Sequence, residues 1–130
     1  MTVAADRPLI WIGRADYARL LRSIDRLNEQ APAVSQFLSH ELDRAIVRPE
    51  SDLPANMVRM GTRVLFSRDD NHPMEWAALV FPDEAPAEGE ISLATPVGAA
   101  LLGLREGARM PYTDHDGHTR HISVQRVLPV

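Results

Sequence analysis

Apolar side chains recur at intervals of three and four through the first third of the chain and mostly at intervals of two beyond it, and this change of period divides the sequence. Tyr17, Leu20, Leu21, Ile24 and Leu27 form one stripe, with Arg19, Arg22, Asp25 and Arg26 on the other face, the pattern of an amphipathic helix. Asp16 stands where its N-cap is expected. Upstream, Pro8-Leu9-Ile10-Trp11-Ile12 is a short run with β-branched and aromatic members that predicts a small strand ended by Gly13. Asn28 to Pro32 interrupts the stripe. Val34, Phe37, Leu38, Leu42, Ala45 and Ile46 then make a second helical stripe, closed by Pro49. Two such stripes joined by a short turn pack as an antiparallel pair, each helix holding about 12 to 16 residues and spanning roughly 18–24 Å. Helix-to-helix packing is enough to account for both stripes.

The polar, proline-bearing stretch Glu50-Ser51-Asp52-Leu53-Pro54-Ala55-Asn56 marks a boundary, which gives residues 1–50 as a short strand with a helical hairpin and 51–130 as a second module. There, Met57 to Phe66 reads as a strand bent at Gly61, and Glu75 to Phe81 as another, joined through the turn Asp69-Asp70-Asn71-His72-Pro73. Pro82 to Gly89 is an acidic, proline-rich loop. Ile91-Ser92-Leu93 is a short strand, and Pro96 opens a short helix over Val97 to Leu102, where its missing N–H is harmless. Gly103 and Gly107 mark the exit. Arg109 to Tyr112 and Thr119 to Val127 are the last strands, and Asp116-Gly117 between them predicts a type I′ hairpin turn. The fold class is therefore α+β: an antiparallel helical hairpin, then a mostly antiparallel β module with one short helix.

Composition narrows what such a chain does. Its 130 residues, 45% hydrophobic and 25% charged, suffice for an ordinary core without crosslinks. Cysteine is absent, so disulfides and thiolate metal sites are excluded. No apolar run approaches the roughly 20 residues of a membrane span, and Met1 to Arg7 lacks the layout of a signal peptide. A cytoplasmic location and no membrane partner are expected. The net charge is −4 and every basic residue is a scattered arginine, so direct contact with DNA is not expected.

Catalytic patterns are missing. There is no phosphate-binding glycine loop, no Gly-x-Ser-x-Gly elbow and no thiol nucleophile. The densest titratable cluster is Asp114, His115, Asp116, His118 and His121. Imidazoles and carboxylates suit a divalent transition metal, so His115, His118 and His121 offer one alternative, a small metal- or ligand-binding module. The plainer account is a polar turn, and neither metal nor cofactor is expected. Ser92 and Thr95 flank a helix start, where Thr95 serves as N-cap.

One stretch is more specific. Ile91-Ser92-Leu93-Ala94-Thr95-Pro96-Val97-Gly98-Ala99-Ala100-Leu101-Leu102-Gly103 resembles the C-terminal signature of the GreA/GreB transcript-cleavage factors, and its Pro-Val-Gly-Ala-Ala-Leu-Leu-Gly-Leu form is closer still to the Rnk branch. Glu41-Leu42-Asp43-Arg44-Ala45 and the run from Met60 to Phe66 resemble Rnk as well, with Thr62 where serine is usual. The resemblance runs from about Pro8 to Val127. It implies an FKBP-like C-terminal fold that docks on bacterial RNA polymerase at the rim of the secondary channel, with the helical hairpin entering the channel. The docking positions it implies are Ser92, Ala94, Thr95 and Pro96, with alanine at 94 where Gre factors have aspartate. The channel-facing tip would be Asn28, Glu29 and Gln30. Gre factors help hold a magnesium ion of the polymerase with acidic residues at a longer tip; one acid on a short hairpin implies no cleavage, only competition for the docking site. A monomer is expected. The FKBP-like fold also raises a peptidyl-prolyl isomerase as an alternative, although seven aromatic residues, several of them in the helical part, are too few for such a pocket.

Overall fold

The sharp turn between two helices sets the shape of the N-terminal half. The computed structural model describes residues 7–69 and 72–128. Strand β1 (Trp11–Gly13) leads directly into helix α1 (Arg14–Gln30), and a single residue, Ala31, separates it from helix α2 (Pro32–Arg44). Pro32 begins α2 where no N–H is needed, and Ala31 closes α1 by donating to the Leu27 carbonyl at 2.7 Å. Asn28, Glu29 and Gln30, expected to lie in the interruption, are thus the last turn of α1. The helices hold 17 and 13 residues, hence about 25 Å and 20 Å.

Strand β2 (Ile46–Arg48) follows and pairs in parallel with β1, so Ile46, expected at the end of the second helix, is strand. The competing partner explains this: Ile46 donates its N–H to Ile10 at 2.9 Å, a bond the helix pattern cannot reveal. Glu50–Asp52 forms a 3-10 turn. Met57 and Met60 make isolated bridges only, and the chain turns at Gly61 before β3 (Arg63–Ser67), which is shorter than the expected strand. Strands β4 (Glu75–Val80) and β5 (Glu90–Ser92), helix α3 (Pro96–Leu101), and strands β6 (Arg109–Thr113) and β7 (Thr119–Leu128) complete the order. Asp70 and Asn71 of the expected turn, and the Met1 to Asp6 segment read for targeting, lie outside the described residues.

The sheet runs β5-β4-β3-β7-β6. Its pairings are antiparallel except β4 with β5, which is parallel, in keeping with the mostly antiparallel module expected. The loop from Phe81 to Gly89 carries the chain back to start β5 in the same direction as β4. The β6–β7 turn differs from expectation. Gly117 has φ 83°, whereas among the described residues no non-glycine residue, Asp116 included, has positive φ. A type I′ turn needs two such residues; here His115 and Asp116 form the turn and Gly117 the left-handed position of a three-residue loop.

One cluster of buried side chains joins the parts. Leu20 and Leu27 of α1 and Val34, Leu38 and Leu42 of α2 meet Val64, Phe66, Leu79, Ile122 and Val124 of the sheet, with α3 between. Leu21, expected in the buried stripe, is 49% exposed. The N-terminal strand is held across the exit of α3, where Trp11 donates to the Gly103 carbonyl at 3.2 Å.

Candidate functional site

The turn from β5 into α3 is built almost wholly from local hydrogen bonds. Ser92 Oγ accepts from the Ala94 N–H at 3.0 Å. The Ser92 carbonyl accepts the Thr95 hydroxyl at 2.7 Å and the Thr95 N–H at 3.2 Å. Thr95 Oγ1 in turn accepts from Gly98 N–H at 3.1 Å, so Thr95 is the N-cap that the sequence suggested. Gly98 is required here: a Cβ at that position would stand 2.1 Å from the Ser92 carbonyl oxygen. Leu93 anchors the turn, fully buried with its N–H donated to Val80. Ser92 itself is buried and its hydroxyl is engaged, so the surface offered outward is Ala94, Thr95 and Pro96, each half-buried.

Two hollows meet at Pro96. One, of about 450 Å³, is lined by Ser92, Thr95, Pro96, Arg68, Tyr112 and Arg120 among others. The other, of about 550 Å³, lies between the hairpin turn (Gln30 to Val34, with Phe37) and Pro96, Ala99, Tyr112 and His115. Pro96 and the hairpin turn, far apart in sequence, therefore line one hollow. Asn28, Glu29 and Gln30 are all exposed, and Glu29 is the sole carboxylate of residues 28–32.

The charged wall of the first hollow is fixed by ion pairs. Arg68 grips Glu75 with two bonds of 2.7 and 3.1 Å, and the Glu75 hydrogen bond raises the arginine pKa further. Arg120 bonds Asp114 and lies 3.3 Å from Asp69. Burial raises the Tyr112 pKa, and its hydroxyl donates to the Arg68 carbonyl at 3.3 Å. Asp114 is held below the usual carboxylate range, first by its Arg120 hydrogen bond and then, against some desolvation, by the His118 and Asp116 N–H groups.

Those bonds explain the histidine-rich turn. Asp114 Oδ1 accepts from the Asp116 and His118 N–H groups at 3.0 and 2.9 Å, stapling the loop. Among the described residues the set that gathers within ligand distance is Asp114, Asp116 and His118, not the His115, His118 and His121 of the alternative weighed from the sequence. The Asp114 carboxylate is already occupied by two backbone donors and a guanidinium, as befits a turn.

Two long-range features escaped the sequence. Arg19 lies 3.6 Å above the Phe81 ring and 3.2 Å from Asp83, fastening α1 to the loop after β4. Glu41, 1% exposed, is paired with Arg7 at 2.9 Å and Arg44 at 3.2 Å. The i, i+3 spacing of Glu41 and Arg44 was a usable signal; the others join residues more than thirty positions apart.

Comparison with known proteins agrees with this geometry. The family described as "Transcription elongation factor, GreA/GreB, C-term" matches residues 53–129, and "Rnk N-terminus" matches residues 8–47. The chain is 35% identical over 124 residues to the "Regulator of nucleoside diphosphate kinase" of Escherichia coli K12, covering 91% of this chain and 88% of that one. It is 38% identical over 84 residues to transcription elongation factor GreA of Roseiflexus castenholzii, covering 62% of this chain and 54% of the relative. Among solved structures, a prokaryotic transcription elongation factor GreA/GreB from Nitrosomonas europaea superposes with a TM-score of 0.71 at 29% identity, over 94% of this chain and 99% of that one.

Proposed function

The chain belongs to the GreA/GreB family of transcription elongation factors, with an Rnk-type N-terminal segment, and from that membership we propose that it binds bacterial RNA polymerase at the secondary channel without stimulating transcript cleavage. In this reading residues 51–130 form an FKBP-like docking module, presenting Ala94, Thr95 and Pro96 to the rim of the channel, with Ser92 shaping the turn from beneath. Residues 1–50 supply the plug. The protein acts as a monomer in the cytoplasm and competes with longer Gre-type factors for one site. No helix among the described residues is long and apolar enough to cross a membrane.

The observation that supports this reading is the closeness of the hydrogen-bonded turn before α3 to a short hairpin whose tip carries one acid. Assisting a magnesium ion demands oxygen ligands at about 2.0–2.1 Å from it. A hairpin of 17 and 13 residues ending in a lone Glu29 lacks both the reach and the paired carboxylates. Alanine at 94 leaves the turn without a charged acceptor, which weakens docking relative to Gre factors by about 1.5–3 kcal/mol.

Co-purification with core polymerase tests the site. Wild-type protein is expected to elute with polymerase, and a Thr95→Asp, Pro96→Arg double variant to elute alone. Normal co-elution of that variant would place the contact elsewhere.

A further inference from the structure

The buried core, with α3 against the strands, lines one face of the five-stranded sheet, and the opposite face carries its own coherent set of side chains. Along β4, Ala77 and Leu79 point into the core while Trp76 points away, 37% exposed, with Met74 at 47% just before the strand. Register sets Trp76 opposite Leu65 on β3, and Leu65 opposite Arg126 on β7. One step along, Arg63 lies between Ala78 and Leu128, the latter 36% exposed. The Arg63 guanidinium stands 5.2 Å from the centre of the Trp76 ring. Single exposed apolar residues are ordinary on a protein surface, but Trp, Met and Leu side chains adjoining two arginines have the make-up of a protein interface core.

Charge decides what fits there. In a chain with 18 acidic residues, neither Arg63 nor Arg126 has a carboxylate within ion-pair distance among the described residues. A second copy is a poor occupant, because an isologous contact would set these arginines against their own counterparts on a desolvated surface. Single-stranded nucleic acid fits less well than protein: stacking platforms present aromatic rings in succession, and Trp76 has Leu65 and Arg63 beside it rather than a second ring.

We propose that this face is a second polymerase-binding surface, taking an apolar protein segment edged with carboxylates, so that polymerase holds the C-terminal module from both sides of its sheet. The proposal rests on the polymerase reading above.

The test uses elongation complexes assembled from purified core polymerase, template and labelled RNA. Trp76→Ala and an Arg63→Glu, Arg126→Glu double variant are each expected to raise the Kd for polymerase about tenfold, with thermal unfolding unchanged. A benzophenone amino acid at position 76, which keeps an aromatic ring there, is expected to crosslink to a polymerase subunit. Variants that bind within about twofold of wild type, or a crosslink to RNA, overturn the proposal. If binding falls with the Thr95→Asp, Pro96→Arg variant but not with the sheet variants, the docking turn stands and the second surface falls. If wild-type protein does not bind polymerase, both fall.

Discussion

At the scale of single residues, two carboxylates of the hairpin helices sit in unlike surroundings. Glu41 is buried with two guanidiniums, and such a group is tolerable only while paired. Glu41→Gln keeps the shape and removes the charge; it is expected to lower stability by about 1–3 kcal/mol, read as a lower urea midpoint with an unchanged slope. Asp16 sits in the first turn of α1, where a negative charge is normally favoured by the helix dipole. Here its pKa is raised, first by burial and then by the neighbouring Glu50, both outweighing Arg59 and Arg19. A raised carboxyl pKa means that the fold loses stability as pH climbs through the carboxylate range. Asp16→Asn is therefore expected to raise Tm at pH 7 and to leave it unchanged at about pH 3, below the usual carboxylate range; a lower Tm at pH 7 would contradict this. Gly98→Ala is expected to disrupt the docking turn, because its new methyl would meet the Ser92 backbone and not a movable side chain.

At the scale of elements, α1 owes its start to a residue 35 positions away. Glu50 Oε2 accepts the Ala15 N–H at 2.9 Å, doing from the 3-10 turn what Asp16 was expected to do locally. Although desolvation opposes it, the Ala15 and Asp16 N–H groups pull the Glu50 pKa below its ordinary value. With a depressed folded pKa, this cap stabilises the fold above the ordinary glutamate range and is lost as pH falls through the lower folded value. Glu50→Ala is expected to flatten that part of the acid-unfolding profile and to fray α1, visible as faster amide exchange at Ala15. The same comparison shows what the sequence made legible. Both helical stripes, β4, the cap of α3 and the β6–β7 pair follow from spacing within a dozen residues, and periodicity reads such spacing directly. Strand β2, the Glu50 cap, the Arg19–Phe81 contact and the parallel β4–β5 pairing depend on partners brought by the fold. The proposed docking turn was read from the resemblance of its residues, but the closeness of the hairpin turn to it was visible only in three dimensions.

At the scale of the whole molecule, one continuous core joins the hairpin and the sheet, and the hairpin turn and Pro96 line one hollow. Docking through residues 94–96, as proposed, would bring the hairpin to the channel together with the sheet, and its length and the single acid of its tip, Glu29, would set what it does there. The most direct test is RNA cleavage in stalled elongation complexes, with GreA held constant and this protein titrated in. The account predicts that GreA-stimulated cleavage falls steadily toward the level without factor, and that this protein alone yields no cleavage product. Cleavage by this protein alone, or undiminished GreA cleavage at saturating concentration, would contradict it.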